Sequence, residues 1–196
     1  MKKICVFCGS SMGTQAVYRK KAVELAQYFI KNDLTLVYGG ADVGLMKILA
    51  DTMLEAGKEV IGVMPKNLVE KEVAHNGLTE LIVVETMAAR KEVLIEMSDA
   101  FIALPGGFGT LDELAEVLVL DQLHIIEKPL GLLNVNHYFD HLEKFMRLGV
   151  QEGFIRKEHF ENMMIHEEAQ VLVEKLKTYQ PIAMNKWIKD IKEESK

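Results

Sequence analysis

The sequence predicts an α/β protein built on a doubly wound, mostly parallel sheet of about six or seven strands flanked by helices. Short apolar runs, such as residues 100–104, resemble strands that are buried on both faces, which is the pattern of parallel sheets. These runs alternate with segments in which apolar residues recur every three or four positions, as do Leu111, Leu114 and Leu118, which is typical of amphipathic helices. The alternation predicts one Rossmann-like domain over residues 1–180, followed by a charged helical tail over residues 181–196.

The pattern places each element in turn. Strands are predicted at residues 4–8, 34–38, 60–64, 81–84, 100–104 and 130–134, with a last short strand at 163–165. The helices are predicted to end at Asn32–Asp33 and at Gly57, and to cover 87–97, 111–123, a segment through 139–145, and 167–178. Residues 65–77 are polar and irregular, and we expect them to form a lid or a wall of a ligand site. In the last helix, the predicted buried residues are Ala169, Val171, Leu172 and Leu176.

Composition narrows the function classes. A chain of 196 residues fits one domain, and 49% apolar residues is ordinary for a globular protein. The net charge of −6, without a long basic block, argues against a nucleic-acid partner. The N-terminus lacks the apolar region of a secretory signal, and no apolar run approaches the roughly 20 residues of a membrane span. We therefore expect a cytoplasmic protein without a membrane partner.

The cysteines and histidines do not predict a metal site. Cys5 and Cys8 form a C-x-x-C pattern, but a strand would send their side chains to opposite faces, so we interpret them as core residues. The six histidines are scattered along the chain. His137 and His141 are four positions apart on a predicted helix, with no evident third ligand.

The most informative stretch is the glycine-rich segment after the strand at 100–104. Gly106, Gly107 and Gly109 would let backbone N–H groups approach a ligand closely, and the helix that follows favours an anion at its N-terminus. Thr110 and Glu113 have the spacing of a capping box, with Thr110 as N-cap and Glu113 at the third helical position. A carboxylate beside a phosphate cradle also suits chemistry at a glycosidic bond.

Other candidate residues follow neighbouring strands. Ser10 lies in the loop after the first strand, and Gly39 and Gly40 come directly after the second. Arg90 and Lys91 are cations in the first turns of a helix, where they oppose the helix dipole, which hints at a functional use. Ligands of doubly wound sheets bind at the carboxyl ends of the strands, so these residues are expected to share one rim.

Several chemistries fit this rim poorly. A dinucleotide-dependent dehydrogenase would show G-x-G-x-x-G after the first strand and an acidic residue about 20 positions later. This sequence has Gly9-Ser-Ser-Met-Gly13 after the first strand and Gly39-Gly40, rather than an acidic residue, after the second. It also lacks the G-x-x-x-x-G-K-[ST] motif of a P-loop. Pyridoxal-phosphate chemistry would need a Schiff-base lysine with a partner for the pyridinium nitrogen, and Lys91 lacks that setting. We predict no cofactor. Cleavage of an N-glycosidic bond fits better, because Glu113 could stabilise an oxocarbenium ion or activate water while Arg90 assists the leaving base.

The motifs resemble those of the LOG (Lonely Guy) family of cytokinin-activating phosphoribohydrolases, many of which carry the label "possible lysine decarboxylase". The similarity rests on Pro105-Gly-Gly-Phe-Gly-Thr-Leu-Asp-Glu113, Cys5-Val-Phe-Cys-Gly-Ser-Ser11, Val37-Tyr-Gly-Gly40, Gly44-Leu-Met46, Val60-Ile-Gly-Val-Met-Pro65, Met87-Ala-Ala-Arg-Lys91 and Gly131-Leu-Leu-Asn134. It implies Arg90 and Glu113 as the catalytic pair, and a homodimer or larger homo-oligomer. The implied substrate-binding residues are Ser10, Gly39, Gly40, Glu72, Met87, Lys91, Gly106, Gly107, Gly109 and Thr110, with Gly107, Gly109 and Thr110 on the 5′-phosphate.

The resemblance implies hydrolysis of (N6-substituted) adenosine 5′-monophosphates to a free base and ribose 5-phosphate. Two departures leave the choice between cytokinin nucleotides and AMP open. Ala41 stands where the plant-type family pattern has a third glycine, and Val119-Leu120 stands where it has Thr-Trp. The alternative is a non-catalytic carrier of a nucleotide or cofactor, similar to the molybdenum-cofactor carriers, which would need the glycine cradle but not Arg90 and Glu113 together.

Overall fold

A computed structural model describes residues 1–71 and 73–182 of the chain. The seven strands are β1 (Lys3–Phe7), β2 (Thr35–Tyr38), β3 (Val60–Pro65), β4 (Glu80–Val84), β5 (Ala100–Ala103), β6 (Leu130–Leu133) and β7 (Met164–His166). The helices are α1 (Ala16–Lys31), α2 (Gly44–Glu55), α3 (Lys66–Val69), α4 (Met87–Met97), α5 (Phe108–Gln122), α6 (Asp140–Gln151), α7 (Lys157–Asn162) and α8 (Ala169–Leu176). Within these ranges, none of the helices combines the length and apolar character that a membrane crossing requires. The predicted tail falls almost entirely on residues 183–196, outside the described part.

The strands form one sheet in the order β4-β3-β2-β1-β5-β6-β7. Neighbouring strands pair in parallel throughout the described chain, so the prediction of a doubly wound parallel sheet of six or seven strands is confirmed. The central strand β1 pairs with β2 on one side and β5 on the other, and Cys5 lies opposite both Val37 and Phe101. The chain therefore reverses its winding direction between β1 and β5, which is where such sheets bind ligands.

The core lies on both faces of this sheet. One buried cluster packs beneath α1, α2 and α8, and a second packs beneath α4, α5 and α6. Cys8 belongs to the first cluster and Cys5 to the second, as expected for residues that point to opposite faces. Burial raises the pKa of both thiols, so they remain protonated core groups rather than nucleophiles.

One of the residues predicted to be buried in the last helix, Val171 of α8, is exposed in the structure. Val171 was expected to face the core, but it is 39% exposed, and the fully buried residue is Val173. The buried positions of α8 are Ala169, Leu172, Val173 and Leu176, which is the i, i+3, i+4, i+7 pattern of one helical face. The short helices α3 and α7 were not predicted, because four and six residues are too few to show a periodicity.

We expect Val173→Ala to lower the free energy of unfolding by about 2 kcal/mol, because it removes two buried methyl groups and leaves a cavity. Val171→Ala is the matched control and should change it by less than about 0.5 kcal/mol. Urea denaturation followed by circular dichroism measures both variants. Equal losses would contradict the placement of α8.

Candidate active site

Three loops meet at the carboxyl edge of the sheet where its winding reverses. The loop after β1 touches the loop after β5, because the Gly9 N–H donates to the Pro105 carbonyl at 3.1 Å. The start of α2 joins them through the Leu45 N–H, which donates to the Gly9 carbonyl at 3.1 Å. These backbone bonds hold together the segments that carry Ser10, Leu45 and the glycine-rich loop.

The glycine-rich loop forms a tight turn into α5. A Cβ at Gly106 would lie 2.1 Å from Thr110 Oγ1 and 2.9 Å from the Gly9 nitrogen, so a side chain does not fit there. A Cβ at Gly107 or Gly109 would meet no described atom within 4 Å, so these two residues border open space. The loop therefore offers the first N–H groups of a 15-residue helix to an incoming ligand, which is an arrangement suited to phosphate.

The predicted capping box is wrong. The helix begins at Phe108, its N-cap is Gly107, and Thr110 is the third helical residue rather than the N-cap. Glu113 accordingly lies a turn further along and cannot reach back to the N-cap. Thr110 instead packs closely against Gly106, and the carboxylate of Glu113 is left for another partner.

That partner is Arg90, the fourth residue of α4. Arg90 Nη1 donates to Glu113 Oε1 at 2.9 Å, and both side chains are about nine-tenths buried, with 11% and 10% exposure. Arg90 Nε also donates to the carbonyl of Val63 in β3, at 3.0 Å. A Cβ at Gly39 would lie 2.0 Å from Arg90 Nη2, so the guanidinium occupies the space that a side chain after β2 would need.

Burial is the main influence on the Glu113 carboxyl. Burial raises its pKa above the ordinary value for glutamate, while the charge and hydrogen bond of Arg90 pull the pKa down, and burial is the larger effect. Glu113 is therefore a stronger base than an exposed glutamate and still has a cation in direct contact. A carboxylate of this kind can accept a proton from water or stabilise a neighbouring positive charge.

Lys91 lies beside this pair but has its own acidic partners. Its Nζ is 3.1 Å from Asp112 Oδ2 and 2.9 Å from Glu116 Oε2, and both carboxylates raise the pKa of Lys91. A raised pKa is the opposite of what a Schiff-base lysine needs. The ion pairs join α4 to α5 and offset the unfavourable position of the cation near a helix N-terminus.

The predicted site residues fall into two groups. A cavity of about 250 Å³ is lined by seven of them, namely Ser10, Gly39, Arg90, Gly107, Gly109, Thr110 and Glu113. Four other described ones lie around it. Gly40 is buried next to Gly39, Gly106 borders an adjoining cavity, Lys91 faces Asp112 and Glu116, and Met87 is 46% exposed at the start of α4. Glu72 lies outside the described residues.

Several lining residues were not predicted. The side chains of Cys8, Met46 and Phe108 also border the cavity. Met46 belongs to the Gly44-Leu-Met motif, which was a usable signal, whereas Cys8 reads as core in the sequence and is indeed buried. Gly106 faces a second, largely apolar cavity of about 280 Å³ that shares Gly9, Ser10 and Gly107 with the first and adds Met12, Tyr18, Leu45 and Tyr138.

These features define a class of protein. A parallel doubly wound sheet carries, at its reversal point, a backbone cradle for an anion and a buried arginine–carboxylate pair in the same cavity. An arrangement of this kind suits an α/β protein that binds an anionic ligand beside a group capable of proton transfer or charge stabilisation.

Comparison with known proteins identifies the family. The profile of the family described as "Possible lysine decarboxylase" matches residues 46–176. The chain is 42% identical over 191 residues to "Cytokinin riboside 5'-monophosphate phosphoribohydrolase LOG5" of Arabidopsis thaliana, covering 95% of this chain and 84% of the relative. It is 43% identical over 180 residues to "Probable cytokinin riboside 5'-monophosphate phosphoribohydrolase LOGL2" of Oryza sativa subsp. japonica, covering 92% and 74%. The chain belongs to the LOG family.

Solved structures confirm the fold. The molybdenum cofactor binding protein from the phototrophic bacterium Rippkaea orientalis superposes with a TM-score of 0.68, at 23% identity, over 90% of this chain and 96% of that one. At that identity, the likeness concerns the fold alone. The side chains of the site, rather than the architecture, must separate a carrier from an enzyme.

We expect the Glu113 carboxyl to titrate above the range of an ordinary glutamate and Arg90→Gln to move the titration higher, because the variant removes the cation that lowers this pKa. Carbon-13 NMR of the glutamate carboxyls measures both, with Glu113→Gln to assign the resonance. The folded protein holds the Glu113 proton more tightly than the unfolded chain does. Protonated Glu113 therefore contributes stability that is fully present below the pKa of the unfolded chain and is lost as the pH rises through the pKa of the folded protein. A downward movement in Arg90→Gln would contradict the geometry of the pair.

Proposed function

We propose that residues 1–180 form a cytoplasmic phosphoribohydrolase domain that cleaves the N-glycosidic bond of (N6-substituted) adenosine 5′-monophosphates. The products are the free base and ribose 5-phosphate. The observation that carries this proposal is that the buried Arg90–Glu113 pair and the open N-terminus of α5 line one cavity. The names of the relatives at 42–43% identity support the same reaction.

The cradle provides the binding energy that positions the sugar. The N–H groups of the Gly107–Thr110 turn hold the 5′-phosphate, and the helix N-terminus favours its negative charge. With the phosphate fixed there, the ribose extends along the cavity toward Glu113, which lies one turn further into α5. Binding energy from the phosphate can then be used to orient the anomeric carbon for reaction.

The carboxylate carries the chemical step. As the bond from C1′ to the base nitrogen breaks, its electron pair leaves with the base and positive charge develops on the sugar ring. Glu113 stabilises this charge and takes a proton from the water whose oxygen bonds to C1′. The departing base takes up a proton from solvent, and Glu113 returns its own proton to solvent, which restores the carboxylate. Arg90 holds the carboxylate in place and keeps a positive charge in the cavity where the bond breaks.

The buried pair and the setting of Lys91 favour a hydrolase over the two alternative functions, a carrier and a pyridoxal-dependent decarboxylase. A carrier needs only the cradle. Burying the charges of Arg90 and Glu113 costs free energy, and binding alone would not require it. A pyridoxal-dependent decarboxylase would need a lysine with a lowered pKa, whereas Lys91 is tied to two carboxylates. Both comparisons favour hydrolysis.

The second cavity offers a place for the base. It adjoins the first at Ser10 and Gly107, and Met12, Tyr18 and Leu45 give it an apolar character. We infer that it accepts an adenine ring and the apolar substituent that N6-modified nucleotides carry. Val119, one of the departures from the plant-type pattern, is 52% exposed and borders neither cavity, so it does not bear directly on the base.

A nucleotide panel tests the reaction. Wild-type protein is expected to release free base from AMP and N6-isopentenyl-AMP but not from the matching nucleosides, because nucleosides lack the phosphate that the cradle holds. Glu113→Ala should lower turnover by about 100-fold or more, and Thr110→Ala should mainly raise KM. Glu55→Ala, at the exposed end of α2, is the matched acidic control and should behave like wild type. Nucleotide binding without base release from any member would favour the carrier instead.

The exposed face of α5 points to a homodimer. One side of this helix packs into the core through Leu114 and Val117, yet the other side is also apolar. The exposed apolar stripe consists of Phe108, Leu111, Ala115, Val119 and Leu123. A helix that is apolar on both sides is normally covered on both sides, and we propose that a second copy of this chain covers the stripe.

Substituting Val119 with glutamate tests the dimer. We expect Val119→Glu to shift the protein toward the monomer in light scattering after size-exclusion chromatography, because the change buries a charge in the proposed interface. Val171→Glu places the same charge on another exposed valine, on α8 at the other face of the sheet, and should leave the mass unchanged. A monomeric wild type, or equal masses in all three proteins, would contradict the proposal.

A further inference from the structure

One group of described residues outside the candidate active site places a histidine within reach of two carboxylates. His75 is 9% exposed, and its Nε2 lies 2.9 Å from Asp51 Oδ1 and 3.7 Å from Asp42 Oδ1. The three side chains could be mistaken for a metal site, since their ligand atoms all lie within 4.8 Å of one another. Sequence reasoning did not find this group, because the histidine and its partner are 24 positions apart.

The hydrogen bonds argue against a metal. The Gly77 N–H donates to His75 Nδ1 at 3.0 Å, which uses the lone pair of that nitrogen. A neutral imidazole must then carry its proton on Nε2, and Nε2 donates it to Asp51. Lys47 already supplies the positive charge between the carboxylates, through its hydrogen bond to Asp42 and its approach to Asp51 at 3.6 Å. Neither imidazole nitrogen is left to coordinate a cation.

The group instead fastens one segment of backbone to another. The returning segment, residues 73–77, runs antiparallel to the turn that follows β2 and pairs with it at one bridge. The His75 N–H donates to the Gly40 carbonyl at 2.9 Å, and the Asp42 N–H donates to the Val73 carbonyl at 2.9 Å. Asp51, on α2, anchors the His75 ring from the far side. Backbone and side-chain bonds of one residue thus tie the segment to both the turn and the helix.

The turn held in this way is the one that abuts Arg90. Gly39 lies directly against the guanidinium, and a Cβ there would be 2.0 Å from Arg90 Nη2. Gly40 has a φ of +79°, a conformation that side-chain-bearing residues rarely adopt, and it is packed against β3. The carbonyl that accepts from His75 belongs to Gly40, whose conformation requires a glycine. Any movement of the returning segment is therefore passed to the surface on which Arg90 rests.

We propose that His75 is a positioning residue for the catalytic pair: with Asp51 and Gly77 it locks the returning segment onto the Gly39–Gly40 turn and so fixes Arg90 against Glu113. This inference rests on the proposed function. The hydrogen bonds of residues 73–77 go to the turn after β2, to α2 and to their own neighbours, and none of those described goes to residues 106–110 at the start of α5. The role is therefore distinguished by a loss of turnover without a loss of phosphate binding.

Three substitutions at one position test the proposal. His75→Phe keeps a ring but removes both hydrogen bonds, His75→Gln keeps a donor for Asp51, and His75→Asn keeps an acceptor for the Gly77 N–H. We expect His75→Phe to lower kcat for AMP by about 10- to 100-fold, while KM and inhibition by ribose 5-phosphate change by less than about threefold. His75→Gln and His75→Asn should each recover part of the lost kcat.

Hydrogen exchange provides a readout that does not depend on activity. In His75→Phe, we expect faster NMR-detected exchange at the Asp42 amide and at the Arg90 Nε–H, with the α5 amides unchanged. The positioning role would be overturned if His75→Phe showed unchanged exchange at both groups, or if its kcat equalled that of an active wild-type preparation. A fall in kcat that neither conservative variant recovers would reduce His75 to a general stabilising residue and would also overturn it. Inactivity of the wild type, by contrast, would count against the proposed function, and the exchange data would still decide the role of His75.

Discussion

The arrangement of the rest of the site depends on the ion pair between Arg90 and Glu113. Two charges removed from water are costly, and breaking such a pair leaves an uncompensated charge whose cost is about 3–5 kcal/mol. Three features of the fold stabilise the buried pair. A backbone carbonyl of β3 accepts a hydrogen bond from Arg90, Gly39 after β2 leaves space for the guanidinium, and α4 lies close enough to α5 for Arg90 to contact Glu113. Each of these elements contributes one contact, so the sheet order is a precondition of the pair.

The same pair explains why the fold does not decide the function. A molybdenum cofactor binding protein shares the architecture at a TM-score of 0.68 with only 23% identity. Parallel sheets of this kind present loops and helix N-termini at one edge whatever the ligand. What distinguishes one member from another is the set of side chains held at that edge. In this chain they are a raised-pKa carboxylate and the guanidinium that restrains it.

Local patterns in the sequence were enough for the sheet, and for most of the residues at its edge. Buried strands and amphipathic helices are signalled by neighbours within a few positions, so all seven strands and the clustering of Ser10, Gly39 and Gly107 followed from them. The capping box failed because α5 begins at Phe108, three residues earlier than the pattern predicted, so that Gly107 rather than Thr110 is its N-cap. The contacts of His75 could not be foreseen at all. They depend on how a loop folds back over a turn, and no short-range periodicity records that.

The position of β1 at the middle of the sheet has a consequence for synthesis of the protein. β1 is among the first residues to leave the ribosome, yet one of its two partners, β5, is made only after three other strands and four helices. The bond between Gly9 and Pro105 closes the anion cradle across the same gap. A nascent chain therefore carries an open, apolar strand edge on β1 until residues 100–105 emerge, and the pairing that covers this edge also closes the anion cradle.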